Sequence, residues 1–378
     1  MTATCPYCKN KHTELYYSAK LPFYVWPLSR GEKNFIVPVK IFLCHNCWYA
    51  FNHKPLPEEF IKNYYDNYDY VFSSVGINYS QRSEFINMVK ANARRKDHII
   101  EIGSSNEYLL IKLYNYGYRS LGKIEPHPRI DGKLPIRAVN KDFSLDTNFE
   151  SEIDIFLFDH MFEHLEKPWE FLKVISDKLS KDGKILMEFP GYCSCMHHQH
   201  VSFFTLPFLQ TISDEIGLTM NVPFHNSSTV TRVIFQKVAC HKKLPSLSSD
   251  ELEEDKKEIL LNTGNVRQDY IDKKSKLNDF LKNALGEKIY WWDTGMNSAI
   301  LFNYAEPNFK KNLSFKFIDS EESREGKIFF PAGATVLSAE KNLKGRNIKY
   351  LVLASQFKDE MMQKLQEWDC NAEKIFHN

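Results

Sequence analysis

Several things are scarce in this sequence, and each absence removes a class of function. The 378-residue chain has only 15 glycines and no Gly-x-Gly-x-x-Gly, so a standalone dinucleotide site of the glycine-rich kind is not expected. It also lacks an excess of charge of one sign. Lysine plus arginine (49) nearly cancel aspartate plus glutamate (48), which removes the electrostatic footprint of a nucleic-acid or acidic-membrane binder. No run approaches about 18 apolar residues, and no basic segment followed by an apolar stretch opens the chain. A cytoplasmic location is expected, with no membrane partner. Disulfides are not expected either: of eight cysteines, four fall in two tight pairs and Cys193, Cys195, Cys240 and Cys370 are scattered.

What the chain does have is aromatic mass and length. With 28 Phe and 19 Tyr it suits packed domains, and its length exceeds one compact core of about 100–200 residues. Three domains are expected, with a charged connection between the second and third. Residues 1–62 are rich in Cys, Pro and aromatics and read as a small module. Within 63–240 the segments "HIIEIG", "YLLIKLYNYG", "RSLGKIEP", "RAVNKDF", "IDIFLFD" and "KILMEFP" alternate strand and helix, which predicts an α/β domain with a parallel sheet. A helix is expected from Pro168 and a turn at Lys181–Gly183. Residues 241–286 are highly charged, with Val266, Tyr270, Leu277, Leu281 and Leu285 at near-helical spacing, and read as one or two linking helices. From 287 to 378 a second α/β pattern follows, with Trp291 and Trp292 as core.

Cys5-Pro-Tyr-Cys8 and Cys44-His-Asn-Cys47 are two CxxC knuckles, each able to aim two thiolates at one ion. Together they complete the tetrahedral set that structural zinc prefers, a closed site with no place for substrate. The competing readings are reduced core cysteines and a redox CxxC. Further along, the strand "HIIEI" ends at Gly103, and about twenty residues on Glu125 stands where an acid accepts the hydroxyls of a ribose. Asp142-Phe143 follow the next strand, a carboxylate and an aromatic wall suited to an adenine. Asp159, Glu163 and His164 then lie at the carboxyl end of a strand, where ligands of open α/β sheets bind.

In this ordered set the sequence resembles the class I methyltransferases that use S-adenosylmethionine, and among them the nucleotide-sugar C-methyltransferases. The resemblance runs along nearly the whole chain through the four cysteines, "YDYVFSS", "EIGSSNEYLL", "GKIEP", "KDF", "FDHMFEHLEKP", "DGKILMEFPGY", "HHQHVSFFT" and "EGKIFFPAGATVLSAEKNL". It implies a class I methyltransferase Rossmann-like domain, a small N-terminal zinc module and a second, C-terminal Rossmann-like domain that contacts the sugar nucleotide or supports the central cleft. It also implies S-adenosylmethionine held by Glu101, Gly103, Ser105, Glu125, Asp142, Phe143, Asp159 and His160. The family loop runs Glu-Ile-Gly-Ser-Asn-Asp-Gly, so Asn106 stands here for Asp and Glu107 for Gly.

In "HHQHVSFFT" the family carries Tyr-His-Glu-His. By that resemblance His200 is the general base, beside His197, His198 and Gln199, with Gln199 in place of the Glu. An imidazole with a pKa of about 6.5 suits removal of a proton beside a ketone at neutral pH. The expected reaction is methyl transfer to a nucleotide-linked keto sugar, at carbon. The alternatives are O-methylation of a sugar or small hydroxylated metabolite and a methyltransferase scaffold that only binds. For the histidines themselves, a surface patch and an adventitious metal site are the competing readings.

Overall fold

The computed structural model describes residues 3–23, 35–57, 59–60, 79–103, 108–125, 137–139, 152–194, 196–237, 248–355 and 358–377. Ser105, Asn106, Glu107, Asp142, Phe143 and Cys195 lie outside the described residues, as does the aromatic bridge at 64–74. The chain forms two compact units built from non-contiguous segments. The first combines Met1–Tyr16, Lys40–Pro55 and Gly76–Thr263; the second combines Tyr17–Val39, Leu56–Val75 and Gly264–Asn378. Among the described residues no helix is long and apolar enough to cross a membrane.

At the N-terminus, strands β1 (Thr13–Pro22), β2 (Ile36–Cys44) and β3 (Ala50–Asn52) form a small sheet. The larger sheet of the first unit then begins with β4 (Ile99–Ile102), β5 (Leu121–Ile124), β6 (Arg137–Val139), β7 (Ile153–Asp159) and β8 (Leu179–Pro190), all parallel. A two-residue strand, β9 (Ser202–Phe203), leaves this sheet to pair with β3. β10 (Leu218–His225) and β11 (Val230–Lys237) return as a hairpin, β11 running antiparallel to β8. The order is β10-β11-β8-β7-β4-β5-β6. Five parallel strands wound outward from β4, closed by a hairpin whose second strand is inserted, make the class I methyltransferase sheet.

The local sequence explains these elements. "IIEI" and "IDIFLFD" are near-continuous apolar runs because helices cover both faces of a parallel sheet, and β4 and most of β7 are buried. Helix α1 (Tyr79–Asn92) precedes β4, α2 (Tyr108–Asn115) crosses from β4 to β5, and α3 (Pro168–Lys178) crosses from β7 to β8 with Pro168 in its first turn. Helix α4 (Leu206–Ile216) is capped by Thr205, which accepts from the Phe208 amide, and ends at Gly217 with φ 73°. The turn expected at Lys181–Gly183 is instead a bulge inside β8. Pairing jumps from Ile153–Leu179 to Ile155–Lys184, and the Ser180 hydroxyl donates to Asp154 across the jump.

The expected linker is one helix, α5 (Ser249–Asn283), in which Leu277 and Leu281 are fully buried while Leu285, just beyond it, is exposed. The second unit then builds a parallel sheet, ordered β16-β13-β12-β17-β18, from β12 (Lys288–Trp292), β13 (Ser314–Asp319), β16 (Leu337–Ser338), β17 (Asn347–Leu353) and β18 (Asn371–His377). The pair β14 (Ile328–Phe329) and β15 (Ala334–Thr335) stands apart from it. Trp291 and Trp292 are core, their ring N–H groups donating to Ser298 and Ser320.

At the carboxyl ends of β12 and β13, Arg324 gathers Asp293, Asp319 and Glu321. Burial and the neighbouring Asp319 charge push Asp293 up to about 6, against the pull of Arg324. Folding therefore takes up a proton between the ordinary carboxylate pKa and about 6, so this group's stabilising contribution is full in acid and is lost as pH rises through that window. Asp293→Asn should flatten that loss and raise stability at pH 7 by on the order of 2 kcal/mol. Thermal unfolding of both proteins on either side of the window checks this; parallel pH profiles would contradict it.

Candidate active site at the carboxyl end of the first sheet

The winding of the first sheet reverses at β4, with β5 on one side and β7 on the other, and open sheets of this kind bind ligands outside the carboxyl ends of the strands at that point. Glu101 lies in β4 and Gly103 follows it, Glu125 follows β5, and Asp159 ends β7 with His160 next in the chain. Glu101 is buried and sits in register with Lys123 of β5, an equally buried cation that the sequence reading passed over. Glu125 is half-buried.

Gly103 holds φ 76°, and a Cβ there would lie 2.3 Å from Met161 Cγ. Gly103 therefore lies against Met161 in the loop after β7, and the space there admits no side chain at 103. Gly103→Ala should destabilise the protein by about 2–3 kcal/mol through the left-handed backbone and the overlap. Adding Met161→Ala should recover the steric share but not the backbone share. Denaturant unfolding of the single and double variants tests this, and a single variant as stable as the parent would contradict it.

Beyond β7 the chain makes a sharp corner at His160, whose φ of 53° is unusual for a residue with a side chain. Its amide donates to the Glu188 carbonyl, and its ring lies 3.5 Å from Glu163 and 3.6 Å from the Glu188 carboxylate. Desolvation opposes the charge of this ring, which is still 42% exposed, yet these two carboxylates push its pKa well above the ordinary histidine value. Glu188 lies within β8 and is held by Arg232, its register partner on β11. Both are almost wholly buried. One acid in "KILMEFP" and one arginine in "VTRVIFQK" were signals available in the sequence, but each strand had to be placed beside the other before they formed a pair.

The second group is made by the turn Phe162–His164 and the "HHQH" segment. Glu163, His164 and His200 each place a donor atom within 4.8 Å of the others, with Glu163 Oε1 3.8 Å from His200 Nε2. His164 Nδ1 donates to the Gln199 carbonyl at 3.0 Å, and the Val201 amide donates to the Glu163 carbonyl. The His197 and His200 rings lie 3.9 Å apart, and the Gln199 amide donates to His197 Nδ1. Burial, with His198 and His164 nearby, pushes His197 well below its ordinary pKa and keeps it neutral. His198 and His200 are buried, so the histidines are not a surface patch.

The four cysteines come together as expected. Cys5 and Cys47 sulfurs are 3.6 Å apart and those of Cys8 and Cys44 3.5 Å, close to the edge of about 3.8 Å for a tetrahedron with arms of about 2.3 Å. The two knuckles repeat each other: Lys9 and Trp48, each just after the second cysteine, have φ 60° and 63° and donate back to the carbonyl of the first. All four are free thiols rather than disulfides. Four thiols this close, three of them buried, are a set that a divalent ion would hold together by displacing their protons. The residues present fit a structural zinc.

This module braces the histidine segment. β3 pairs with β9, the Asn52 amide donates to the Val201 carbonyl, Tyr49 meets the Ser202 hydroxyl, and Thr205 donates to the Trp48 carbonyl. Cys5, Cys44, Cys47, Tyr49 and Phe51 share one core with Phe158, Phe162, Phe204 and Phe208.

Comparison with known protein families and with curated proteins by sequence gave no match. Among solved structures, the chain is similar to the 1,6-didemethyltoxoflavin-N1-methyltransferase of Burkholderia thailandensis, solved with S-adenosylhomocysteine: 14% identity over 52% of this chain and 98% of that one, TM-score 0.39. N-methyltransferase NodS from Bradyrhizobium japonicum WM9, also with S-adenosylhomocysteine, is 14% identical over 47% of this chain and 97% of its own, TM-score 0.37. A SAM-dependent methyltransferase from Archaeoglobus fulgidus is 15% identical over 43% of this chain and all of its own, TM-score 0.32.

Proposed function

We propose that the protein is an S-adenosylmethionine-dependent methyltransferase acting on a nucleotide-linked keto sugar, at carbon, with His200 as the base. The observation that carries this reading is a buried histidine–carboxylate pair, His200 and Glu163, at the carboxyl edge of a class I methyltransferase sheet. Glu101, Gly103, Ser105, Glu125, Asp142, Phe143, Asp159 and His160 would hold the cofactor, and the four cysteines a structural zinc that keeps the His200 segment in place. Bound S-adenosylmethionine supplies an electrophilic methyl group on a sulfonium.

The protein's own part is alignment, exclusion of water and handling one proton. His200 would take the proton from the carbon beside the ketone, leaving on that carbon the electron pair that meets the methyl group the cofactor would supply. Gln199 cannot ionise, and its backbone carbonyl orients His164. Glu163 supplies the carboxylate that steadies the imidazolium. The uncharged Gln199 keeps a second reading open, methylation of a hydroxyl oxygen, in which no carbanion forms. The two separate in heavy water: a 4-keto sugar nucleotide with enzyme and S-adenosylhomocysteine should exchange its neighbouring hydrogen for deuterium under the carbon reading, and methyl transfer without exchange would support the oxygen one.

A further inference from the structure

Glu163, His164 and His200 have a property that proton abstraction does not require. Glu163 is 3% exposed, and its Oε2 has no hydrogen-bond partner among the described residues. A buried carboxylate oxygen without a donor is costly, and a cation facing it would remove that cost. His160 meets the other oxygen, Oε1, at 3.5 Å, as does His200 at 3.8 Å.

We propose that Glu163, His164 and His200 form a binding site for one divalent first-row transition-metal ion, separate from the four cysteines. Two imidazoles and one carboxylate on one side of an ion match such metals and leave positions open, whereas Mg²⁺ and Ca²⁺ prefer oxygen donors. Donors about 2.1 Å from an ion lie about 3.0–3.4 Å from each other. Glu163 Oε1 and His200 Nε2, at 3.8 Å, need only a small closure to reach that spacing.

The tautomer of His164 is one that a metal ligand can use. A carbonyl oxygen only accepts, so the 3.0 Å contact with Gln199 places the hydrogen on Nδ1 and the lone pair on Nε2. An outer hydrogen bond to a backbone carbonyl is the usual device that orients a metal-binding histidine. Glu188 is held by the Arg232 guanidinium at 2.5 Å, whereas Glu163 faces imidazoles through Oε1, His160 at 3.5 Å and His200 at 3.8 Å, and keeps Oε2 for an incoming ion.

This inference goes beyond the methyltransferase reading, which needs no second metal, and it has a consequence for it. The ion and the substrate proton compete for the lone pair of His200 Nε2, so a loaded site should suppress the deuterium exchange.

The test is a Co²⁺ titration of the full chain with zinc already bound at the cysteines, followed by visible absorption without any sugar or cofactor. One equivalent should bind with the weak bands of nitrogen and oxygen ligation and without the intense cobalt–thiolate band. Glu163→Gln and His200→Ala should each weaken it at least about tenfold, with zinc content and melting temperature as controls on folding. Glu163→Gln keeps the side-chain shape, so it tests the site even if His200→Ala folds poorly. Absence of any cobalt beyond the thiolate-bound metal would overturn the proposal, as would binding that persists unchanged in both variants. Because binding is read without sugar, its failure and the failure of the methyltransferase reading are distinguishable.

Discussion

Replacing Cys44 by Ser should cost the protein its zinc and, with it, the ordered placement of His200. The expected loss of stability is on the order of 5 kcal/mol or more, because a metal that joins two knuckles across a long stretch of chain contributes its binding energy directly to folding. The effect should not stop at the module. Cys44 ends β2, its carbonyl accepts from Trp48, and the Trp48 carbonyl in turn accepts from Thr205 just past the histidine segment. Elemental analysis and thermal melting of the parent and variant check the first part; deuterium exchange into the keto sugar checks the second. A metal-free parent whose stability is untouched by Cys44→Ser would return the cysteines to the reading of a reduced core cluster.

His200→Ala should reduce the exchange of the C–H beside the ketone by about 10²–10⁴-fold, the usual contribution of a positioned base. Glu163→Gln should cut it by a smaller factor, about tenfold, since it removes the charge that steadies the imidazolium while leaving the ring in place. Gln199→Glu is the sharper probe. If carbon chemistry persists, a carboxylate at 199 should raise exchange. Exchange that survives His200→Ala would move the base elsewhere, and the half-buried His197, whose pKa is held low and whose ring is 3.9 Å from His200, is the first alternative.

The sequence revealed the parts of this molecule that depend on local pattern. Apolar runs such as "IDIFLFD" announced the parallel strands, Pro168 announced a helix start, and paired CxxC knuckles announced a four-sulfur cluster. What it did not reveal depends on which strands become neighbours. Glu188 and Arg232 are 44 positions apart and meet only because the closing hairpin lays β11 beside β8. The bulge at Lys181–Gly183 looks like a turn until Asp154 is placed opposite it. The two compact units are likewise built from segments that are not contiguous in sequence, which boundaries drawn along the chain do not express. The carboxylate beside His200 follows the same logic. Position 199 lacks it by sequence, and the fold brings Glu163 there from another loop.

The central claim is that S-adenosylmethionine binds at the carboxyl edge of the first sheet, and calorimetric titration of the full chain tests it most directly. One equivalent should bind per chain, S-adenosylhomocysteine should compete for the same site, and Glu125→Ala should weaken binding by about 1.5–3 kcal/mol through loss of a charged acceptor for the ribose hydroxyls. No heat of binding at millimolar cofactor, from protein that is folded and zinc-loaded, would contradict the account and leave a methyltransferase sheet put to another use.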